Sequence, residues 1–236
     1  MTRQAPWRLA LMFDAPGHDF AALESALRRS RDAIIAAAAG NPVRIGMADR
    51  HPDLDWLYDN SGGNGGRTVD GAIEVTFSEN GAGAISTVCR ALRPIMAELA
   101  DIASVEVMAG PVYPMVPVRS GGTFLSLAFR RVPAITSRQF RDWWREQHAP
   151  MAIPVLGPGL LAYDQVHVEA AASQDASRAF GVPTTAYDAY DNLTWNDRQG
   201  FIASCSDLEG MERLNQDEIG HIDNTSRRAA LMYEVR

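Results

Sequence analysis

Residues 123–151 read "TFLSLAFRRVPAITSRQFRDWWREQHAPM", and the division of this stretch decides the fold. "TFLSLAFRRV" reads as a strand, closed by Pro133. "TSRQFRDWWREQH" then reads as a helix with a marked start. Thr136 is the N-cap and Gln139 stands at the third helical position, which makes a capping box. Ile135 and Phe140 form the matching hydrophobic staple. Pro150 pushes Ala149 out of helical geometry, so a stop is expected at His148. In that phase Phe140, Trp143, Trp144, Gln147 and His148 share one face, which should look at a sheet.

The same strand-then-helix unit recurs along the chain. "WRLALMFDA" is a strand, "DFAALESALRRSRDAIIAAAAG" a helix, and "PVRIGMADR" and "AIEVTFS" are strands. "AISTVCRALRPIMAELADIA" is a second helix in which Pro94 starts or kinks a turn, and "SVEVMAGPVYP" is a fourth strand. After residue 119 the order returns. Strand and helix 123–148 are followed by strands "LLAYDQVHVE" and "AYDAYDNLTW" joined by a loop, a helix "DLEGMERLNQDEIGHI" and a last strand "RAALMYEVR". Phe13 and Phe129, and Cys89 and Cys205, occupy like places in the two halves. A doubled β-α-β-β-α-β order predicts an α+β fold of two ferredoxin-like repeats, residues 1–118 and 119–236, each with a four-stranded antiparallel sheet. "NSGGNGGRTVDG" reads as an exposed lid or linker; no helix start or Lys-Ser/Thr comes after its glycines, so it is not a phosphate cradle.

Strand "LLAYDQVHVE" carries the chemistry-bearing residues. Alternation puts Tyr163, Gln165, His167 and Glu169 on one face and Ala162, Asp164, Val166 and Val168 on the other. The polar row either meets solvent or meets the tryptophan face of helix 136–148 and lines a chamber. His148 alone is equally readable as a core histidine near a helix C-terminus.

Bulk composition narrows the function classes. Net charge is -7 over 236 residues, with no cluster of arginines, which argues against nucleic-acid and anionic-membrane partners. All 22 basic residues are arginines, so lysine Schiff-base chemistry is excluded. Two cysteines suggest buried thiols and a cytoplasmic setting rather than a disulfide framework. No signal-peptide core or membrane-spanning run is read in the chain. "ADRHPDLDW" sets Asp49, His51, Asp53 and Asp55 at alternate positions, but a proline loop holds no fixed alternation, and no metal is expected. His18 and His221 are read as surface residues, with His221 placed within reach of the chamber. No Rossmann, kinase, haem-attachment or Gly-x-Ser-x-Gly motif is present.

Residues 120–236 resemble the EthD-like family. The features are Arg131 after the first strand, the aromatic pair and "HAP" of the helix, the Tyr163-x-Gln165-x-His167 strand, and the acidic segment Asp217, Glu218, Ile222, Asp223 before the last strand. The resemblance implies a dimeric α/β-barrel, here formed by the two halves of one chain, with further self-association as a homodimer left open. It also implies small-molecule chemistry, in relatives that include dehydratases, cyclases, isomerases, cofactor-free oxygenases and accessory proteins. The expected function is a cofactor-independent lyase or isomerase acting on a hydrophobic, oxygenated, aromatic or polyketide-like molecule. A cofactor-free monooxygenase and a non-catalytic binding protein are the alternatives. His148 and His167 are the candidate base and acid, and Tyr163 the acid or oxyanion donor. Phe140, Trp143, Trp144, Gln165, Phe129 and Tyr190 are the candidate substrate contacts.

Overall fold

The computed structural model describes residues 5–57, 67–78, 82–117 and 121–236. Its strands are β1 (Trp7–Phe13), β2 (Val43–Ala48), the short β3 (Arg67–Thr68), β4 (Gly71–Phe77), β5 (Glu106–Val116), β6 (Thr123–Arg131), β7 (Ala162–His167), β8 (Ala189–Trp195) and β9 (Ile222–Glu234). The helices are α1 (Phe20–Ala37), α2 (Ala82–Leu99), α3 (Ser137–Trp143), α4 (Ala149–Leu156), α5 (Ala170–Phe180), α6 (Arg198–Ser204) and α7 (Leu208–Glu218).

Eight strands close a barrel in the order β2-β4-β1-β5-β7-β8-β6-β9, with β2 pairing back onto β9 and β3 appended to β9. Every ladder of the ring is antiparallel. The long strands of the first half lie in the order β2-β4-β1-β5 and those of the second in the order β7-β8-β6-β9. The class is therefore mixed α+β, built on a closed antiparallel barrel, as the doubled element order predicts.

Alternation along the strands separates two environments. Leu9, Leu11 and Phe13 of β1 face outward and join Leu23 and Leu27 of α1 and Ile85, Val88 and Leu92 of α2 in one apolar cluster. Ala10 and Met12 face inward, where Ala48, Ala72, Met108, Phe124, Val166, Tyr190 and Met232 from the other seven strands meet them. The two sheet halves join at β5–β7 and β2–β9. At the first seam a Cβ on Gly110 would overlap the His167 carbonyl; at the second, a Cβ on Gly46 would overlap the Phe124 ring. Glycine lets the backbones approach at the first seam and leaves room for the Phe124 ring at the second.

Four expectations are corrected. The helix begun at Thr136 does not stop at His148: Trp144–His148 forms a π-turn, and α4 carries on through Pro150 and Pro154. Pro150 stands in the first turn of α4, where a missing N–H costs least. Residues 170–185 are not a plain loop, because "AAASQDASRAF" forms α5, ended by Gly181 in left-handed geometry. Its Ala176 and Phe180 pack into the first half's outer core. α6 has no counterpart in the sequence reading, and β9 starts at Ile222 rather than at Arg228. Cys205 is half-buried, not buried, and both thiols are free. The glycine-rich stretch 62–66 and residues 118–120 of the half boundary lie outside the described residues.

Candidate active site

The capping box forms as the sequence requires. The Thr136 hydroxyl accepts from Gln139 N, and the Gln139 side chain accepts from Thr136 N at 2.9 Å. α3 then lays Phe140, Trp143 and Trp144 onto the outer face of β6–β8. Trp144 is fully buried, edge-on to Phe129 at 5.4 Å and stacked on Phe140 at 5.5 Å. The π-turn adds a residue to the helical repeat and rotates the residues beyond it. Gln147, expected to face inward, is exposed, while His148 and Ala149 are buried. The wider turn also opens the Trp144 carbonyl, which accepts from Ala149 N and from Gln165 Nε2 at 2.9 Å.

β7 presents its polar row to this wall, as one of the two sequence readings has it. Gln165 Nε2 also donates to the Tyr163 hydroxyl at 3.0 Å, and His167 Nε2 approaches Gln165 Oε1 at 3.4 Å. The Asp191 carboxyl of β8 lies beside the Tyr163 hydroxyl and acts on it electrostatically. The result is a buried series, His167–Gln165–Tyr163, with the Asp191 carboxyl beside its end. The His167 ring is sandwiched by Trp144 at 5.1 Å and Tyr113 at 4.4 Å.

Burial sets the protonation states. It pushes the Tyr163 hydroxyl well above its ordinary value, with Asp191 adding to the effect, so the phenol stays a donor. Burial likewise pushes the Asp191 carboxyl well up, helped by Glu218. Loss of solvent, then Arg141 and Arg145, hold His167 down to about 3. His167 is therefore a neutral imidazole and a feeble base, better suited to donate a hydrogen bond than to take a proton. A stability profile should show this. The unfolded state binds a proton near pH 6.5 that the folded state refuses until about 3, so the contribution is complete above 6.5 and is lost as pH falls toward 3. Urea unfolding at stepped pH should give a shallower acid-side decline for His167→Phe than for the parent chain.

His148 sits apart from that series. Its Nδ1 meets Asp217 Oδ2 at 2.9 Å, and Asp217 Oδ1 accepts from Trp143 Nε1 at 3.3 Å. The imidazole lies on the Trp143 ring at 5.0 Å; that indole also meets Phe140 at 5.8 Å and His221, which is stacked at 4.1 Å and donates from Nδ1 to the Asp217 carbonyl at 3.0 Å. The dyad lies at the edge of the wall, with the His148 side chain 9% and the Asp217 side chain 23% exposed. With Nδ1 committed to a carboxylate, Nε2 is the nitrogen available for proton exchange.

The structure thus gathers Phe129, Phe140, Trp143, Trp144, Tyr163, Gln165, His148 and His167 on the outer, helix-covered side of the second half. Each histidine is taken by a different indole. A space of about 350 Å³ opens beyond Arg141 and Val168, lined also by Ser137, Glu169 and Tyr187 and by none of these eight side chains. Tyr190 does not join them. It points into the barrel, where its hydroxyl bonds Ser126 and Glu74, because alternation turns it to the face opposite Ala189. His221, read as a surface residue, belongs to the Trp143 stack. Sequence reading also missed Asp191 and the pairing of Asp217 with His148. Asp217 was visible within the acidic segment, but no spacing tied it to a histidine on another helix. Among the described residues no cluster of three or more His, Cys, Asp or Glu could hold a metal ion. Asp49 is instead ion-paired with Arg198 at 2.7 Å.

The fold is a closed eight-stranded antiparallel barrel with helices outside, and the candidate wall lies between helix and sheet. Residues 132–225 match the model of the EthD domain. No curated protein matches the chain. Among solved structures, an anthrone oxidase-like protein aligns with a TM-score of 0.60 at 10% identity, covering 100% of this chain and 93% of its own. A candidate monooxygenase from Fusobacterium nucleatum aligns at 0.58 and 10%, covering 100% and 94%. A chlorite dismutase variant from Candidatus Nitrospira defluvii aligns at 0.55 and 10%, covering 99% and 93%. At such identities the likeness is one of fold.

Proposed function

We propose that the chain is a cofactor-independent lyase or isomerase of the dehydratase or cyclase type, acting on a hydrophobic, oxygenated, aromatic or polyketide-like molecule. One observation carries the reading: the His148 imidazole, held through Nδ1 by Asp217 at 2.9 Å against an indole, at the rim of an aromatic wall. A carboxylate that fixes the tautomer and steadies the imidazolium is what a general base needs. In this reading His148 takes the proton beside a substrate carbonyl and returns it to the leaving oxygen. Tyr163 donates its hydroxyl proton to developing negative charge, His167 holds Gln165 against Tyr163 with its single N–H, and Trp143, Trp144, Phe129 and Phe140 hold the ring system. Tyr190 has no part in it.

A second reading, cofactor-free oxygenation, draws support from the monooxygenase and anthrone oxidase-like neighbours, which share the fold. Oxygen uptake during turnover separates the two: a lyase or isomerase consumes none, and stoichiometric uptake decides for oxygenation. Retained ligand binding with no conversion would leave an accessory protein. The matching composition of the two halves, four long strands each, supports a tandem ferredoxin-like origin, with residues 119–236 as the catalytic repeat. A homodimer is compatible with this reading but is not needed to close the barrel. No described helix is long and apolar enough to cross a membrane. A cytoplasmic setting is part of the proposal. The native protein is expected to be active without haem, flavin or metal. A Soret band, or activity lost to chelator and restored by a metal, would overturn that.

A further inference from the structure

A second polar centre lies inside the barrel, on the face opposite the His148 wall. Interior positions near one mouth would ordinarily be apolar. Here the cross-strand pairs are Arg8 with Thr76, Arg44 with Glu74, Asp164 with Asn192, and Ala162 with Thr194. Strands of both halves contribute. Together with Pro42 and Val43, these residues line a cavity of about 310 Å³. That is at the small end of ligand-sized sites.

The hydrogen bonds inside this cavity are incomplete. Arg8, only 8% exposed, gives one Nη2 bond to Asp164 Oδ2 at 2.8 Å. Its Nε and Nη1 have no hydrogen-bond partner, and Nη1 stands 3.8 Å from Glu74 Oε2. Glu74 Oε1 is taken by Tyr190 and by Asn192 at 2.5 Å. Arg44 uses Nη1 on Asn192 at 2.7 Å and lies over the Phe124 ring at 4.7 Å. A buried guanidinium with idle donors is costly, and natural structures seldom leave one without a partner. Two guanidiniums balance two carboxylates, so in a low-dielectric interior an occupant with net charge would be penalised. The occupant must also accept from Arg8 and donate to the second oxygens of Glu74 and Asp164. Burial pushes the Asp164 carboxyl up, and a cationic partner would oppose this.

We propose that this barrel mouth is a binding site for a small zwitterion of the α-amino acid kind. Its carboxylate takes the idle donors of Arg8 with Arg44, and its ammonium group takes Glu74 and Asp164. The site stands apart from the proposed acid–base wall and does not depend on it.

The test is calorimetric titration and thermal shift of the full chain with glycine, L-alanine and L-serine, against acetate, methylammonium and glycerol. At least one amino acid should bind with a Kd of about 1 mM or tighter. Acetate and methylammonium, each carrying half of the recognised groups, should bind at least tenfold more weakly. Thr76→Trp, which fills the mouth, and Arg44→Ala should each weaken binding tenfold or more. Arg8→Met should abolish it; should that variant not fold, Thr76→Trp decides alone. The proposal fails if no amino acid binds, if acetate or glycerol binds as tightly, or if binding survives Thr76→Trp.

Discussion

His148→Ala should cut turnover by about 10²- to 10⁴-fold, the span usual for loss of a general acid or base. The substrate for the assay is the compound that co-purifies with the chain or is captured from extracts and identified by mass spectrometry. Asp217→Asn should lower the rate as well, because the amide no longer fixes the imidazole tautomer or steadies its charge. The fall should appear in kcat more than in KM, since neither atom is needed to hold an apolar ring system. His148 lies at the edge of the wall, and Asp217 keeps its Trp143 bond and some solvent after the His148 substitution. The melting temperature should therefore drop only by the equivalent of about 1 kcal/mol. A variant that loses roughly 1 to 3 kcal/mol yet turns over normally per folded molecule would make His148 a core residue and end the catalytic reading.

Gly110→Ala should be the most damaging alanine substitution among the described glycines. Gly110 is opposite Arg8 on β1, and a Cβ there would overlap the His167 carbonyl at the seam where β5 meets β7. The obstacle is backbone, so no rotamer change relieves it. The strands would have to separate at the very place where the two half-sheets are joined and where His167 enters the buried polar series. A loss of about 3 kcal/mol or more is expected, above the usual range for a point change. Urea denaturation measures it. The Gly46→Ala change at the other seam meets the tip of the Phe124 ring and the Met232 sulfur, which can shift, and should cost less. Equal costs at the two sites would contradict the seam argument.

Local chemistry made much of this protein legible. Strand alternation assigned Tyr163, Gln165 and His167 to one face and Asp164 to the other, because a pleated strand has only two sides. The Thr136–Gln139 box and the aromatic spacing set the phase of α3 and buried both tryptophans. The α+β class and the EthD likeness of the second half were readable from element order and from a handful of spaced residues.

The features that the sequence left open depended on groups far apart in the chain. Pro150 reads locally as a stop, yet the helix passes it, because a π-turn supplies the Trp144 carbonyl to Ala149 and to Gln165 of another strand. That turn, invisible to a fixed 3.6-residue period, sends Gln147 outward and His148 inward. α5 looked like a loop because its apolar face is mostly alanine; it is held by packing on the other half's helices. Asp217 stands 69 positions from His148, and Asp164 stands 156 from Arg8. The residue types at each position were in the sequence from the start. Which carboxylate answers which cation, and on which side of the barrel wall, was decided only by closing the eight strands into a ring.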